Sequence, residues 1–138
     1  MPPLSLEDFA SRIKEAHFAL PSDEPTVLRL YENIVLKTLT HTQALAFERC
    51  RWGDHELRQL ARVLPLCSRL RSLTLLDNAV GGNGLTDFCH CVVASSSHAP
   101  ALPSLRVLNL SGNGFGDASV PQTTAHLLTP PMTFSHLP

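Results

Sequence analysis

The chain has 138 residues, 43% of them hydrophobic, and a formal net charge of −1. That length suits one domain, and the near-neutral balance gives no general attraction to nucleic acid or to a membrane surface. No apolar run reaches the roughly 18 residues of a membrane helix, and the start Met1-Pro2-Pro3-Leu4-Ser5-Leu6 lacks the basic segment and long apolar run of a signal peptide.

The first forty residues read as helical. Ser5 and Asp8 form an S-x-x-D start signal, and Leu6, Phe9, Ile13 and Ala16 follow at the spacing of one helical face. Pro21-Ser22-Asp23-Glu24-Pro25 breaks this helix. A second is predicted from about Pro25 to Leu39, with Val27, Leu30, Tyr31, Ile34 and Val35 largely apolar. Residues 1–40 are expected to form an N-terminal cap over a repetitive region, because the first unit of a repeat array needs its open face covered. Helix-in-groove binding and oligomerisation are the alternatives.

Residues 41–120 carry the repeats. Leu70-Arg71-Ser72-Leu73-Thr74-Leu75-Leu76-Asp77-Asn78 and Leu105-Arg106-Val107-Leu108-Asn109-Leu110-Ser111-Gly112-Asn113 both read L-x-x-L-x-L-x-x-N. On a strand, side chains two apart share a face. Leu73 and Leu75, like Leu108 and Leu110, should therefore point inward, and the asparagine should turn the chain and bond the neighbouring unit. A weaker copy lies 28 residues upstream, with Leu45, Phe47 and Cys50 in the places of Leu73, Leu75 and Asn78, although Thr42 stands where Leu70 predicts leucine. Helical patterns follow the strands. Gly53-Asp54 offers a turn and N-cap before Leu57, Leu60, Ala61 and Leu64, with Pro65 as the stop. Gly81-Gly82-Asn83-Gly84 precedes Leu85, Phe88, Cys89 and Val92.

A strand and a helix in about 28 residues resembles the ribonuclease-inhibitor-like subfamily of leucine-rich-repeat proteins. The resemblance covers roughly residues 42–120. It implies an α/β fold: a short solenoid of about three strand–helix repeats around a parallel sheet. It is specific for the fold and nearly silent on function; together with the absence of catalytic motifs and of a signal peptide, the expectation is a non-enzymatic, cytoplasmic protein–protein interaction module that uses the concave sheet face. The family also resembles small-GTPase regulators and immune receptors, but the repeat residues build the coil and do not choose between such roles.

Two features break the pattern. The offset from the second to the third repeat grows to 35, with the extra residues near 95–103; a tolerated surface loop and a docking loop are both compatible with it. After Gly116-Asp117 the third repeat meets Pro121, and from Ala118 to Pro138 there is no Asp, Glu, Lys or Arg. Residues 121–138 are therefore expected to be an irregular, mobile, proline-rich tail. The strand around Val107–Ser111 would then leave the sheet edge open to self-association. Such a composition also suggests a truncated leucine-rich-repeat protein, or a structural fragment that self-associates within a longer one.

Chemical motifs are sparse. Cys89-His90-Cys91 cannot close on one ion from a helix, because its thiols point about 200° apart. The glycine-rich turn at 81–84 lacks the lysine and spacing of a phosphate loop. No serine or cysteine has the base and orienting group of a nucleophile. No cofactor or metal site is expected. The cysteines have places in the coil, consistent with reduced thiols. Six of the nine arginines lie between Arg49 and Arg71 (Arg49, Arg51, Arg58, Arg62, Arg69 and Arg71). Asp54 is placed one turn before Arg58 to pair with it. The cluster is a solvated face or a contact for an acidic protein. Nucleic acid is disfavoured, since Trp52 is alone and sits at a core position.

The candidate binding residues are the outward strand positions Ala44, Ala46, Glu48, Ser72, Thr74, Leu76, Val107, Asn109 and Ser111. Their small, mostly uncharged side chains favour a snug contact with an unidentified protein over an electrostatically steered one.

Overall fold

The computed structural model describes residues 1–18, 20–94, 102–114 and 133–135. In chain order these form α1 (Leu6–Lys14), α2 (Asp23–His41), β1 (Ala44–Ala46), α3 (Asp54–Val63), a 3₁₀ turn (Leu64–Leu66), β2 (Ser72–Thr74), α4 (Gly82–Ala94), β3 (Val107–Asn109) and β4 (Thr133–Ser135). The architecture is mixed α/β. The strands lie in chain order in one open parallel sheet, and each neighbouring pair is parallel.

The repeat spacing explains this order. Leu45, Leu73 and Leu108 are lateral neighbours in the sheet. Each parallel step needs a crossover, and α3 and α4 supply two of them, packed against each other. Leu73, Leu75, Leu108 and Leu110 are buried beneath the sheet. They meet Leu57, Leu60 and Ala61 of α3 and Leu85, Phe88 and Cys89 of α4 in one core. Each fully buried leucine contributes about 1.5–3 kcal/mol. Trp52 is also core, 5% exposed, with its ring 4.4 Å from that of Phe47.

The helix starts differ in detail from expectation. Ser5 does cap α1, its Oγ accepting from the Asp8 amide at 3.1 Å. α1 ends at Lys14, so Ala16 lies beyond the helix and is exposed rather than on its apolar face. α2 begins at Asp23, because Pro25 fits within a first turn that lacks amide partners anyway. At α3 the cap is Gly53, and Asp54 is already helical; Glu56 reaches back to accept the Gly53 N–H at 2.9 Å. That bond holds the Glu56 carboxyl below its ordinary pKa. Pro65 sits in the 3₁₀ turn that ends α3.

Three further expectations meet a different arrangement. Arg58, expected to pair with Asp54, bonds Asp87 of α4, and the Asp54 carboxylate accepts the Gly81 N–H at 2.7 Å. The packing of α3 on α4 brings Asp87 to Arg58. The apolar run of α2 is not a single buried face: Val35 and Leu39 enter the core, whereas Leu30 and Ile34 are 59% and 56% exposed. They lie on a side of the helix that no described residue covers. β3 does not end the sheet, because Thr133–Ser135 pairs along it in parallel, Leu108 opposite Phe134. The prolines of the tail leave these three residues free to enter a ladder. Thus the edge expected to be open at Val107–Ser111 is occupied. The rest of the tail, residues 95–101 of the insertion near 95–103, and residues 115–120 lie outside the described residues.

Candidate functional site

The outward positions of the sheet fall into rows. The register aligns Ala44, Ser72 and Val107, and next to them Ala46, Thr74 and Asn109. Beyond the strands the ladder continues: the Arg49 amide donates to the Leu76 carbonyl at 2.9 Å and the Asp77 amide to the Ser111 carbonyl at 3.0 Å. Glu48, Leu76 and Ser111 therefore stand in equivalent places of successive units. All nine sequence-chosen residues lie on one side of the sheet. Ala44, Ala46, Glu48 and Val107 are exposed and the other five half-buried, while the leucines between them are core. Asn109 Oδ1 accepts the Ser111 amide at 3.0 Å, so part of its amide is committed to its own turn.

Below this face, two asparagines join the units. Asn78 Oδ1 accepts the amides of Cys50 and Trp52, both at 3.1 Å, while its Nδ2 donates to the Phe47 carbonyl at 2.7 Å and to Leu76 at 3.2 Å. Asn113 repeats the pattern: Oδ1 accepts from Val80 N at 3.2 Å, and Nδ2 donates to the Leu75 carbonyl at 2.7 Å. Each amide thus ties its own turn to the unit before it. Asn78 is the buried polar residue of the described core, and its bonds satisfy the demand that burial imposes. Cys50, in the corresponding place of the first unit, is exposed; its amide donates to Asn78 Oδ1 and its thiol to the Glu48 carbonyl at 3.4 Å, the place in its own turn that Leu76 holds for Asn78.

The chain makes a left-handed turn just before each of these positions, at Arg49 (φ 52°), Asp77 (φ 53°) and Gly112 (φ 67°). Only the last is a glycine, so the sequence signals one turn of the three. Asp77 lies across Gly112 and pairs with Arg49 at 3.1 Å on the other side. These two residues border the outward face at the C-terminal ends of the strands. Arg71 and Arg106 border it at the other end, where the Arg106 amide donates to the Arg71 carbonyl at 2.8 Å. None of the four was among the nine concave-face candidates, because alternation alone selects strand positions and not their rims; Arg49 and Arg71 stood out only as members of the arginine cluster.

Two further chemical features meet named partners or surroundings within the described residues. The α4 N-terminus with its glycine-rich turn attracts an anion, but Asp54 supplies that anion from within the chain, and a side chain at Gly84 would collide with it. The Cys67 and Cys89 thiols are buried, and desolvation pushes their pKa values up to about 11 and about 12, which suppresses the nucleophilic thiolate. Among the described residues, no group of three His, Cys, Asp or Glu side chains gathers for a metal ion. No described helix is long and apolar enough to cross a membrane. A shallow cavity of about 210 Å³ lies between α1 and α2, lined by Leu6, Phe9, Ala10, Leu28, Tyr31 and Glu32.

The sheet with leucines beneath and small side chains above is the point at which known proteins become informative. The chain is similar to the ribonuclease inhibitor of Sus scrofa. Identity is 29% over 143 aligned residues, covering 86% of this chain and 31% of that protein. The chain therefore spans under a third of its relative's length. The relative is a leucine-rich-repeat protein, so the likeness supports the leucine-rich-repeat reading of L-x-x-L-x-L-x-x-N. No family profile matches the sequence.

Proposed function

We propose that this chain is a short leucine-rich-repeat solenoid that binds another protein through the outward, concave face of its sheet and catalyses no reaction. The observation that carries this reading is the register of the nine outward residues: lateral rows of small side chains on a sheet whose other side places Leu73, Leu75, Leu108 and Leu110 in the core and packs Leu45 and Phe47 against it. The relative's name describes a protein that acts by binding an enzyme, and protein binding is the part of that activity proposed here. In this reading residues 41–120 form the repeats. α1 and α2 cap the first unit, with Val35 and Leu39 inserted into its core, and residues 121–138 follow as a tail that adds one strand. The location is taken to be cytoplasmic, where the free thiols of Cys50, Cys67 and Cys89 would stay reduced.

A second reading is favoured by one observation: Leu30 and Ile34 expose an apolar stripe on α2. The chain would then be a structural piece that packs into a larger assembly or against itself.

Tryptophan substitutions distinguish these readings. Ala46→Trp and Thr74→Trp block the outward face; His55→Trp, at an exposed place on α3, does not. Affinity capture with all three should lose the bound protein for the first two and keep it for the third. Equal capture by all three refutes the concave-face reading. Loss only on Leu30→Asp or Ile34→Asp selects the second.

A further inference from the structure

Charge is distributed unevenly along the strands. At their C-terminal ends stand Glu48, Arg49, Arg51 and Asp77, two anions and two cations, with Arg49 and Asp77 paired. At their N-terminal ends stand Arg69, Arg71 and Arg106, all exposed. The adjoining segments carry no acid: residues 33–47, 57–76 and 88–116, which lead into and form β1, β2 and β3, contain no Asp or Glu. Ion pairs among the described residues use Arg49, Arg58 and Arg62 and none of these three. Arg71 and Arg106 are also held side by side. The Arg106 amide bonds the Arg71 carbonyl, and next to them Ser104 donates to the Ser68 carbonyl at 2.9 Å. Arg106 is steadied by donating to the Leu105 carbonyl at 3.1 Å.

We propose that this rim receives an acidic segment of the partner protein, with successive carboxylates on Arg71 and Arg106 and the adjoining backbone lying over the outward rows. The inference rests on the concave-face reading and names the partner's chemistry. Neighbouring guanidinium forks accept carboxylates in two-bond contacts. The residues beside them, Ser72 and Val107, are too small and non-aromatic to stack bases, so a peptide suits the edge better than a nucleic acid. The like charges of Arg71 and Arg106 also oppose one another until an anion lies between them.

The test uses the full chain and a fluorescein-labelled peptide of ten glutamates, followed by anisotropy at low and high salt. Binding should weaken about tenfold or more in Arg71→Glu/Arg106→Glu and fall with salt. Arg71→Gln/Arg106→Gln should weaken it less, and Arg49→Gln, on the opposite rim, should leave it within about threefold. Unchanged melting of the variants shows that folding is intact. Undiminished peptide binding by the charge-reversed variant overturns the proposal, as does tighter binding of a ten-residue oligothymidylate than of the peptide. In the capture experiment, loss on Ala46→Trp with none on Arg71→Glu/Arg106→Glu overturns the rim and leaves the face. Rim-dependent glutamate binding together with capture that ignores Ala46→Trp refutes the face reading instead, and keeps the rim as an acid-binding edge.

Discussion

The repeat units and the N-terminal helices have similar apolar patterns and unlike burial. In α3 the pattern residues Leu57, Leu60 and Ala61 are all core, whereas α1 buries none of its residues and α2 only Val35 and Leu39. The difference is neighbours. A repeat helix meets an equivalent helix one unit away, and the same 28-residue spacing that sets its apolar residues also sets their partners. α1 packs chiefly on α2, where Phe9 stacks on Tyr31 with ring centroids 3.6 Å apart, and the Tyr31 hydroxyl donates to the Leu4 carbonyl at 2.9 Å. Periodicity predicts a face; it predicts burial only where something repeats to cover it.

The comparison breaks most visibly under leucine-to-alanine substitution. Leu60→Ala, in a fully buried site between α3 and α4, should cost about 2–5 kcal/mol. Leu30→Ala, with the same change in chemistry, should stay within about 0.5 kcal/mol. Chemical denaturation measures both. Similar losses would mean that α2's outer stripe is covered in solution.

The asparagine ladder sharpens the same contrast on a smaller scale. Asn78→Ala removes the acceptor for two amides and the donor to two carbonyls inside the turn, and should cost about 1–3 kcal/mol. Ser72→Ala, on the outward face, should cost no more than about 0.5 kcal/mol. Equal losses would show that the turn is not the joint between units. In the turn beside it, Gly112→Ala should cost about 1–2 kcal/mol, because φ there is 67° and an added Cβ meets the Asp77 carboxylate. Asp77→Ala should recover the part due to collision and none of the part due to backbone.

Buried thiols add a pH dependence confined to the repeat core. Their pKa values are raised in the folded state, so the stability they confer is complete below the unfolded value of about 9 and is lost as pH rises toward 11–12. Each should remove on the order of 1 kcal/mol by pH 10. Alkylation at pH 8 checks the state directly: exposed Cys50 should react promptly, and Cys67 and Cys89 only on unfolding.

The leucine spacing made the sheet order, the core and the outward rows legible, because those properties follow from a local repeat. What it left unread depends on contacts between distant residues. Asp54 faces Gly81 because of how α3 and α4 pack, and nothing within its own helix marks that partner. Arg49 and Asp77 hold left-handed turns without glycine, sustained by the units around them. Thr133–Ser135 is too short to show alternation and sits among prolines, so its pairing with β3 had no signal. The rim arginines were visible as a cluster, but only the register separates Arg71, beside Arg106, from Arg49, beside Asp77.

The smallest expected effect lies at the join of the two regions. Arg62 of α3 donates to Asp8 of α1 at 2.8 Å, with the side chains 54% and 25% exposed. Exposed ion pairs contribute about 0.2–1 kcal/mol and are screened by salt. Arg62→Ala should therefore leave global stability almost unchanged. Its consequence should be local, because α1 buries none of its own residues and rests otherwise on the half-exposed stack of Phe9 on Tyr31. Amide exchange of α1 should accelerate several-fold in this variant while α3 and α4 keep their protection; the acceleration should shrink in high salt, where the parent has already lost part of the same contact. Equal acceleration in α1 and α3 would instead show that the helices and the repeats open as one cooperative unit, which would remove the distinction between the regions.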